Sequence, residues 1–218
     1  MSKASGLLAA RPLYAGDLPE LCKLDEKLIR KSLESRPKGS NTAVALIPDI
    51  ETIQWHHARE EFVGSELHGK KPTIKGAMVG AEEGKRVWCY WTRMWYNEDA
   101  SQRKDNTLHI LRLVVEDGAS SWESSTGRHT NGTPAHHVAA IAALFQMAQQ
   151  QAEEWRTEQV EIWNPSSATL AAAQTLDPTA RLVERDTESI ACLKWYPKHD
   201  GPIAESIDWI GNEKYGWN

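Results

Sequence analysis

Cysteine, phenylalanine and net positive charge are all scarce in this chain of 218 residues. Its three cysteines, Cys22, Cys89 and Cys192, are odd in number and widely spaced, which argues against a disulfide-stapled scaffold and for free thiols in a reducing, cytosolic compartment. Lys and Arg number 25 against 30 Asp and Glu, a formal charge of −5, so no basic excess is available to displace counterions from nucleic acid or to hold an acidic membrane. Long apolar runs are also missing. Val138–Phe145 falls far short of the ~18 residues that suggest a bilayer span, and Ser2–Ala4 leads into no hydrophobic signal core. Repeats, low-complexity tracts and interdomain linkers are absent. What is present is 40% hydrophobic residues and 10 Trp beside 2 Phe. At this length one globular domain can bury roughly 70% of the surface that its unfolded chain exposes, so residues 1–218 are expected to form one domain with terminal extensions at 1–16 and 201–218.

Periodicity divides the chain further. Leu18, Leu21, Leu24 and Leu28 recur at helical spacing, which predicts a helix over Asp17–Arg36 with Asp17 as cap. Pro48–Asp49 opens a second helix that Gly69 can stop. The period then changes to two, giving strands over Ile74–Val79, Arg86–Tyr96 and Leu108–Glu116. A polar stretch, Asp117–Thr133, is long for a connection and reads as a functional loop. Thr133–Pro134 starts a helix whose apolar stripe runs from Val138 to Trp155. A strand over Gln159–Trp163, a helix over Ser166–Leu176 and an antiparallel pair within Arg181–Tyr196 complete the body. The tail carries Trp209, Tyr215 and Trp217 and is expected to pack back on it.

This order resembles that of the GNAT acyltransferases, in which a strand, a phosphate-binding turn and a helix receive the pyrophosphate of acetyl-CoA. The segments Trp55–Phe62, Arg86–Arg93 and Trp209–Trp217 look like the C-terminal half of the fungal lysine N-acetyltransferase family, over nearly the whole chain. The resemblance implies an α/β (α+β) domain: a mixed, mostly antiparallel central sheet flanked by helices on both faces. In that family an additional N-terminal half carries the complete GNAT signature, which is not read in these residues. Fold is thus implied more strongly than activity.

The acetyl-CoA turn uses backbone N–H groups, a helix N-terminus and glycines that allow close approach. Its best register here places His129 first, Gly132 fourth and Pro134 sixth, so one glycine of the pattern is present and Pro134 removes a donor. Arg128 can supply charge, and Thr133 completes the candidate turn; the same residues read equally as a loop ending in a helix cap. The resemblance further implies that Leu113–Val115 expose backbone groups to pantetheine, and that Asn164 matches the family asparagine at a strand end, although Asn–Pro is also an ordinary turn opener. The general-acid tyrosine of the superfamily is missing: its position falls at Ala171. A thiolate leaving group needs little help, its reference pKa being about 8.5, so transfer does not strictly require that acid.

Alternation puts Cys89, Trp91, Arg93 and Trp95 on one strand face and Trp88, Tyr90, Thr92 and Met94 on the other, and groups Arg112 with Leu108, Ile110 and Val114. Arginines inside a sheet need anionic partners. Arg93 and Arg112 therefore either pair internally with Glu51, Glu60, Glu61 or Asp105, or grip the carboxylate of an amino-acid-like ligand beside Arg59 and a wall of Trp55, Trp91 and Trp95. His56 shares a helical face with Glu60, and His57 with Glu61, a spacing that suits a general base held by a carboxylate. Neither pair has zinc-motif spacing, a third ligand would have to come from afar, for example His136 or His137, and no metal is expected. Cys89, an apolar strand thiol, is a weak nucleophile candidate.

The leading function is an acyl-CoA-dependent N-acyltransferase acting on a small amino-acid-like amine, with acetyl-CoA as cofactor and Glu60 or His56 accepting the proton. The alternatives are a non-catalytic GNAT-like domain that binds a ligand or partner, such as a separate catalytic half or a second copy, and a cleft reused for other small-molecule chemistry.

Overall fold

Seven strands and four α-helices alternate among the residues that the structure, a computed structural model, describes: 8–36, 41–117, 135–184, 187, 190–196 and 207–217. The order is β1 (Arg11–Tyr14), α1 (Leu18–Ser35), β2 (Thr42–Ala45), α2 (Ile50–His68), β3 (Ile74–Val79), β4 (Val87–Met94), β5 (Thr107–Val115), α3 (Ala135–Glu154), β6 (Gln159–Ile162), α4 (Ser167–Leu176) and β7 (Ile207–Ile210). Helix ends follow local chemistry. The Asp49 carboxylate accepts from the Thr52 amide at 2.8 Å to cap α2, and Gly69 at φ 65° ends it. The Ser166 hydroxyl accepts from the Thr169 amide to cap α4. Asp17 instead closes the turn before α1, accepting from the Tyr14 amide at 2.8 Å.

Three expectations change. The extension before residue 17 contains β1, which pairs antiparallel with β3, so a strand precedes both helices. Thr42–Ala45, for which no element is predicted between the two helices, forms β2, which pairs in parallel with β7 of the tail, from Thr42↔Ile207 to Ala45↔Ile210. Apart from β6, which a long helix precedes and Asn164–Pro165 follows, four-residue strands leave too little alternation to be read locally. Among the described residues of Arg181–Tyr196 no strand forms.

The central sheet has the order β1-β3-β4-β5-β6, antiparallel except for β5 and β6. One face, including Cys89 and Trp91, packs under α3, with α4 behind it; the other, including Trp88 and Tyr90, packs against Leu18, Leu21 and Cys22 of α1 and Ile53 of α2. A bulge at Leu111 takes the register from Tyr90↔Arg112 to Trp91↔Ile110. A bulge resets the two-residue period. Leu108 and Ile110 therefore share the α3 face with Leu113 and Val115, whereas Leu111 and Val114 lie on the α1 side, where Arg112 meets Asp25. The grouping of Arg112 with Leu108 and Ile110 is corrected accordingly.

Gly76 of β3 sits where an added Cβ would collide with the carbonyl oxygen of Cys89, a backbone atom fixed by the ladder. Gly76→Ala is expected to lower stability by about 1–3 kcal/mol, read as a reduced denaturant midpoint.

Candidate functional site

The sheet opens where β5 and β6 part. Their pairing runs only from Thr107↔Gln159 to Ile110↔Ile162, and Asn164 then turns away at φ 49°. Leu111–Val115 therefore present an edge that β6 does not cover. This is the edge that the GNAT resemblance assigns to pantetheine.

The chain's own C-terminal segment occupies it. The Glu213 carboxylate accepts from the Leu113 amide at 3.2 Å and from the Arg112 guanidinium, whose other side donates to both oxygens of Asp25 at 2.8 and 2.7 Å. Asn164 donates its side-chain amide to the Asn212 carbonyl, and Lys214 lies over the Trp163 ring at 4.9 Å. Tyr215 is 1% exposed; its hydroxyl donates to the carbonyls of Leu46 and Gly211, and its carbonyl accepts from Nε2 of His56 at 2.9 Å. Residues 212–215 thus span the opening from β5 to the end of β6.

Two carboxylates and one guanidinium buried together carry one negative charge too many. Burial, only partly offset by Arg112, pushes the Glu213 carboxyl up to about 7. The same carboxylates outweigh burial at Arg112 and hold it well above its ordinary value.

A second edge is closed in the same way. The β3–β4 ladder stops at Gly76↔Tyr90, and α2 covers the next stretch of β4: Nε2 of His57 donates to the Trp91 carbonyl at 3.0 Å, and the Arg93 amide donates to Glu60 at 3.0 Å. Glu60 also accepts from the Arg93 guanidinium at 2.5 Å and from Lys75 at 3.0 Å, while Arg93 reaches Gln151 of α3 at 2.6 Å. Burial lowers the His57 pKa to about 4 and also lowers that of His56, so both rings are neutral near pH 7.

Several site expectations are corrected by this geometry. Arg93 and Arg112 do not wait for a ligand carboxylate: both are 1% exposed and engaged by Glu60 and by Asp25 with Glu213, so their internal-pair reading holds, the second with partners outside the expected set. Glu60 is locked between Arg93 and Lys75, and His56 is tied to the tail, which leaves neither placed to take a substrate proton. The tryptophan wall also disperses. Trp91 donates its indole N–H to the Ile74 carbonyl in the core and Trp95 donates to the Trp155 carbonyl, while Trp55 and Arg59 face outward on α2, Trp55 at 48% exposure. An apolar hollow of about 220 Å³ lies beside Trp95, lined also by Phe62, Val63, Leu67 and Tyr96 and by Glu66 and Glu98, with no arginine in its lining. Val115 is buried on the α3 face. Arg128, His129, Gly132 and Thr133 lie outside the described residues. Burial raises the thiol pKa of Cys89 to about 12, and that of Cys22 likewise, which makes both inert.

Asp25 and Glu213 are site residues that sequence reasoning misses. Asp25 carries a signal: it falls on the apolar stripe of α1 with Leu18, Leu21, Cys22 and Ile29, where a lone carboxylate calls for a cation from another element.

The chain matches the LYC1 GNAT-like C-terminal domain over residues 2–218. It belongs to that family. Its sheet, helices and splayed strand pair form an N-acyltransferase-like fold of GNAT type. Among solved structures, TTHA1254 of Thermus thermophilus is 12% identical at a TM-score of 0.40, with 87% of this chain and 100% of that chain covered. An acetyltransferase of Trypanosoma brucei is 15% identical at a TM-score of 0.37, with 84% and 99% covered. Comparison with curated proteins finds no match. Among the described residues no helix is long and apolar enough to cross a membrane.

Two outcomes are expected of the GNAT-like domain. Arg112→Met leaves Asp25 and Glu213 buried without a cation and is expected to cost about 3–5 kcal/mol in urea unfolding. Glu213 titrates higher in the fold than its unfolded value of 4.5, so its contribution is complete below that value and is lost as pH rises through about 7. Wild type should therefore lose stability relative to Glu213→Gln between pH 5 and pH 8, by at most roughly 3 kcal/mol.

Proposed function

We propose that this GNAT-like domain does not itself transfer acyl groups, and that it serves as a binding and supporting domain for a partner carrying the acyl-CoA chemistry. The observation that carries this reading is the occupied edge of β5. An acyl-CoA arm would need the Leu113 amide that Glu213 already holds, and would have to displace a segment fixed at Leu113, Arg112, Asn164, His56 and Leu46. Displacing it would leave Arg112 with one carboxylate instead of two and would expose the buried Tyr215. The charge at the mouth points the same way. Asp117, two residues beyond β5, lies within 3.6 Å of His136 and 2.8 Å of His137 in the first turn of α3, and a carboxylate there opposes a pyrophosphate. The superfamily's general-acid tyrosine position is Ala171.

The second reading, N-acyl transfer from acetyl-CoA to a small amino-acid-like amine, is favoured by one observation: β5 and β6 separate beyond Ile110↔Ile162, as a pantetheine cleft requires. On that reading residues 211–217 must leave before the donor enters.

Calorimetric titration of the chain with CoA and with acetyl-CoA separates the two. No saturable heat is expected up to millimolar cofactor. Saturable binding with a dissociation constant below about 1 mM would overturn the proposal in favour of transfer.

A further inference from the structure

The cluster at the head of α3, already met at the mouth of the cleft, also offers donors for a cation. Asp117, His136 and His137 bring one carboxylate oxygen and two imidazole nitrogens to within 4.8 Å of one another. Oδ2 of Asp117 lies 2.8 Å from Nε2 of His137 and 3.6 Å from Nε2 of His136, and the two rings lean together with centroids 4.1 Å apart. His137 is 3% exposed, held by the body of the domain, whereas the His136 side chain is 67% exposed. The geometry points to a divalent transition-metal site, of the zinc class, formed by Asp117, His136 and His137.

Tetrahedral zinc with bonds of roughly 2.0–2.2 Å sets its donor atoms about 3.3–3.5 Å apart. The 3.6 Å separation already fits, and the 2.8 Å hydrogen bond would open by a few tenths of an ångström as the metal replaces its proton. Two imidazoles and a carboxylate form a nitrogen-rich set that suits zinc better than calcium or magnesium, whose ligands are all oxygen. Neighbouring residues on a helix point about 100° apart. Convergence of consecutive histidines on one carboxylate is therefore a specific arrangement, with Asp117 delivered by the end of β5 and both rings by the first turn of α3. Three protein donors leave a fourth position for water or for a donor from a partner.

Spacing alone does not reveal the site, because its donors lie 19 and 20 residues apart across the polar loop and match no metal motif. In the sequence His136 and His137 stand only as remote ligands for His56 and His57. The structure ties those two rings to Tyr215 and Trp91 instead.

Zinc titration by calorimetry and cobalt(II) titration by visible absorption test the assignment on the full chain. One saturable site is expected, with the intense visible bands of tetrahedral cobalt, and zinc should raise the melting temperature. His136 is exposed, so H136A should melt like wild type without metal while binding zinc at least about tenfold more weakly, since loss of outer partners alone costs that much at known sites. D117N should do the same. The assignment is overturned if wild type binds no zinc at micromolar concentration, or if H136A binds it as tightly as wild type, which would leave His137 and Asp117 as a hydrogen-bonded pair only. With metal excluded from the CoA titration and cofactor excluded from the zinc titration, the two proposals fail separately.

Discussion

The ion cluster of Asp25, Arg112 and Glu213 joins parts of the chain that are otherwise remote. Arg112 is 87 residues from Asp25 and 101 from Glu213 in sequence, and it ties the centre of the sheet to α1 on one side and to the tail on the other. A guanidinium at this depth is tolerable only when its donors are taken, and the carboxylates are tolerable only because it is there. The bulge at Leu111 makes the contact possible: under unbroken alternation the arginine would point into the α3 core with Ile110 and Leu108.

The same solution appears twice. At two places where a strand of the central sheet outruns its neighbour, a buried side chain supplies a missing backbone partner. Glu213 accepts from Leu113 beyond the end of β6, while His57 and Glu60 serve Trp91 and Arg93 beyond the ladder of β3. An unpaired buried amide or carbonyl costs about as much as a lost hydrogen bond, so each closure is a condition of folding. In an acyltransferase of this fold the first opening would admit the donor. Here a 3₁₀ turn at Lys214–Gly216 and its preceding residues fill it, with Tyr215 anchoring them to Leu46, just after β2, and to α2. The GNAT-like scaffold is thus retained, and the opening between its splayed strands is filled by the chain's own tail.

Much of the architecture is legible locally. The long helices α1, α2 and α3 and the strands β3, β4 and β5 fall within a residue or two of the boundaries that periodicity and caps imply, because each has enough turns or alternations to reveal its period. Residue faces on β4 are legible for the same reason. Strands β1, β2 and β7 are not, since four residues each carry almost no period, no long helix and Asn–Pro turn bracket them as they do β6, and their existence depends on partners elsewhere in the chain. The need for partners at Arg93 and Arg112 is also legible, as is Glu60 among the choices.

What the sequence determined by itself is the class of the domain, its helical and strand faces, and the presence of charges that could not stay alone in a core. Tertiary structure decided which charge meets which, that the tail lies in the opening beside β5, and that Asp117 meets His136 and His137. The reason is physical. Periodicity reports the side of an element that is buried, which depends on residues within a few positions of each other. Pairing of ions, closure of strand edges and convergence of metal-competent donors depend on separations in space between segments that local sequence does not relate, and here a single inserted residue, Leu111, turned Arg112 to the opposite face from the one its alternation implied.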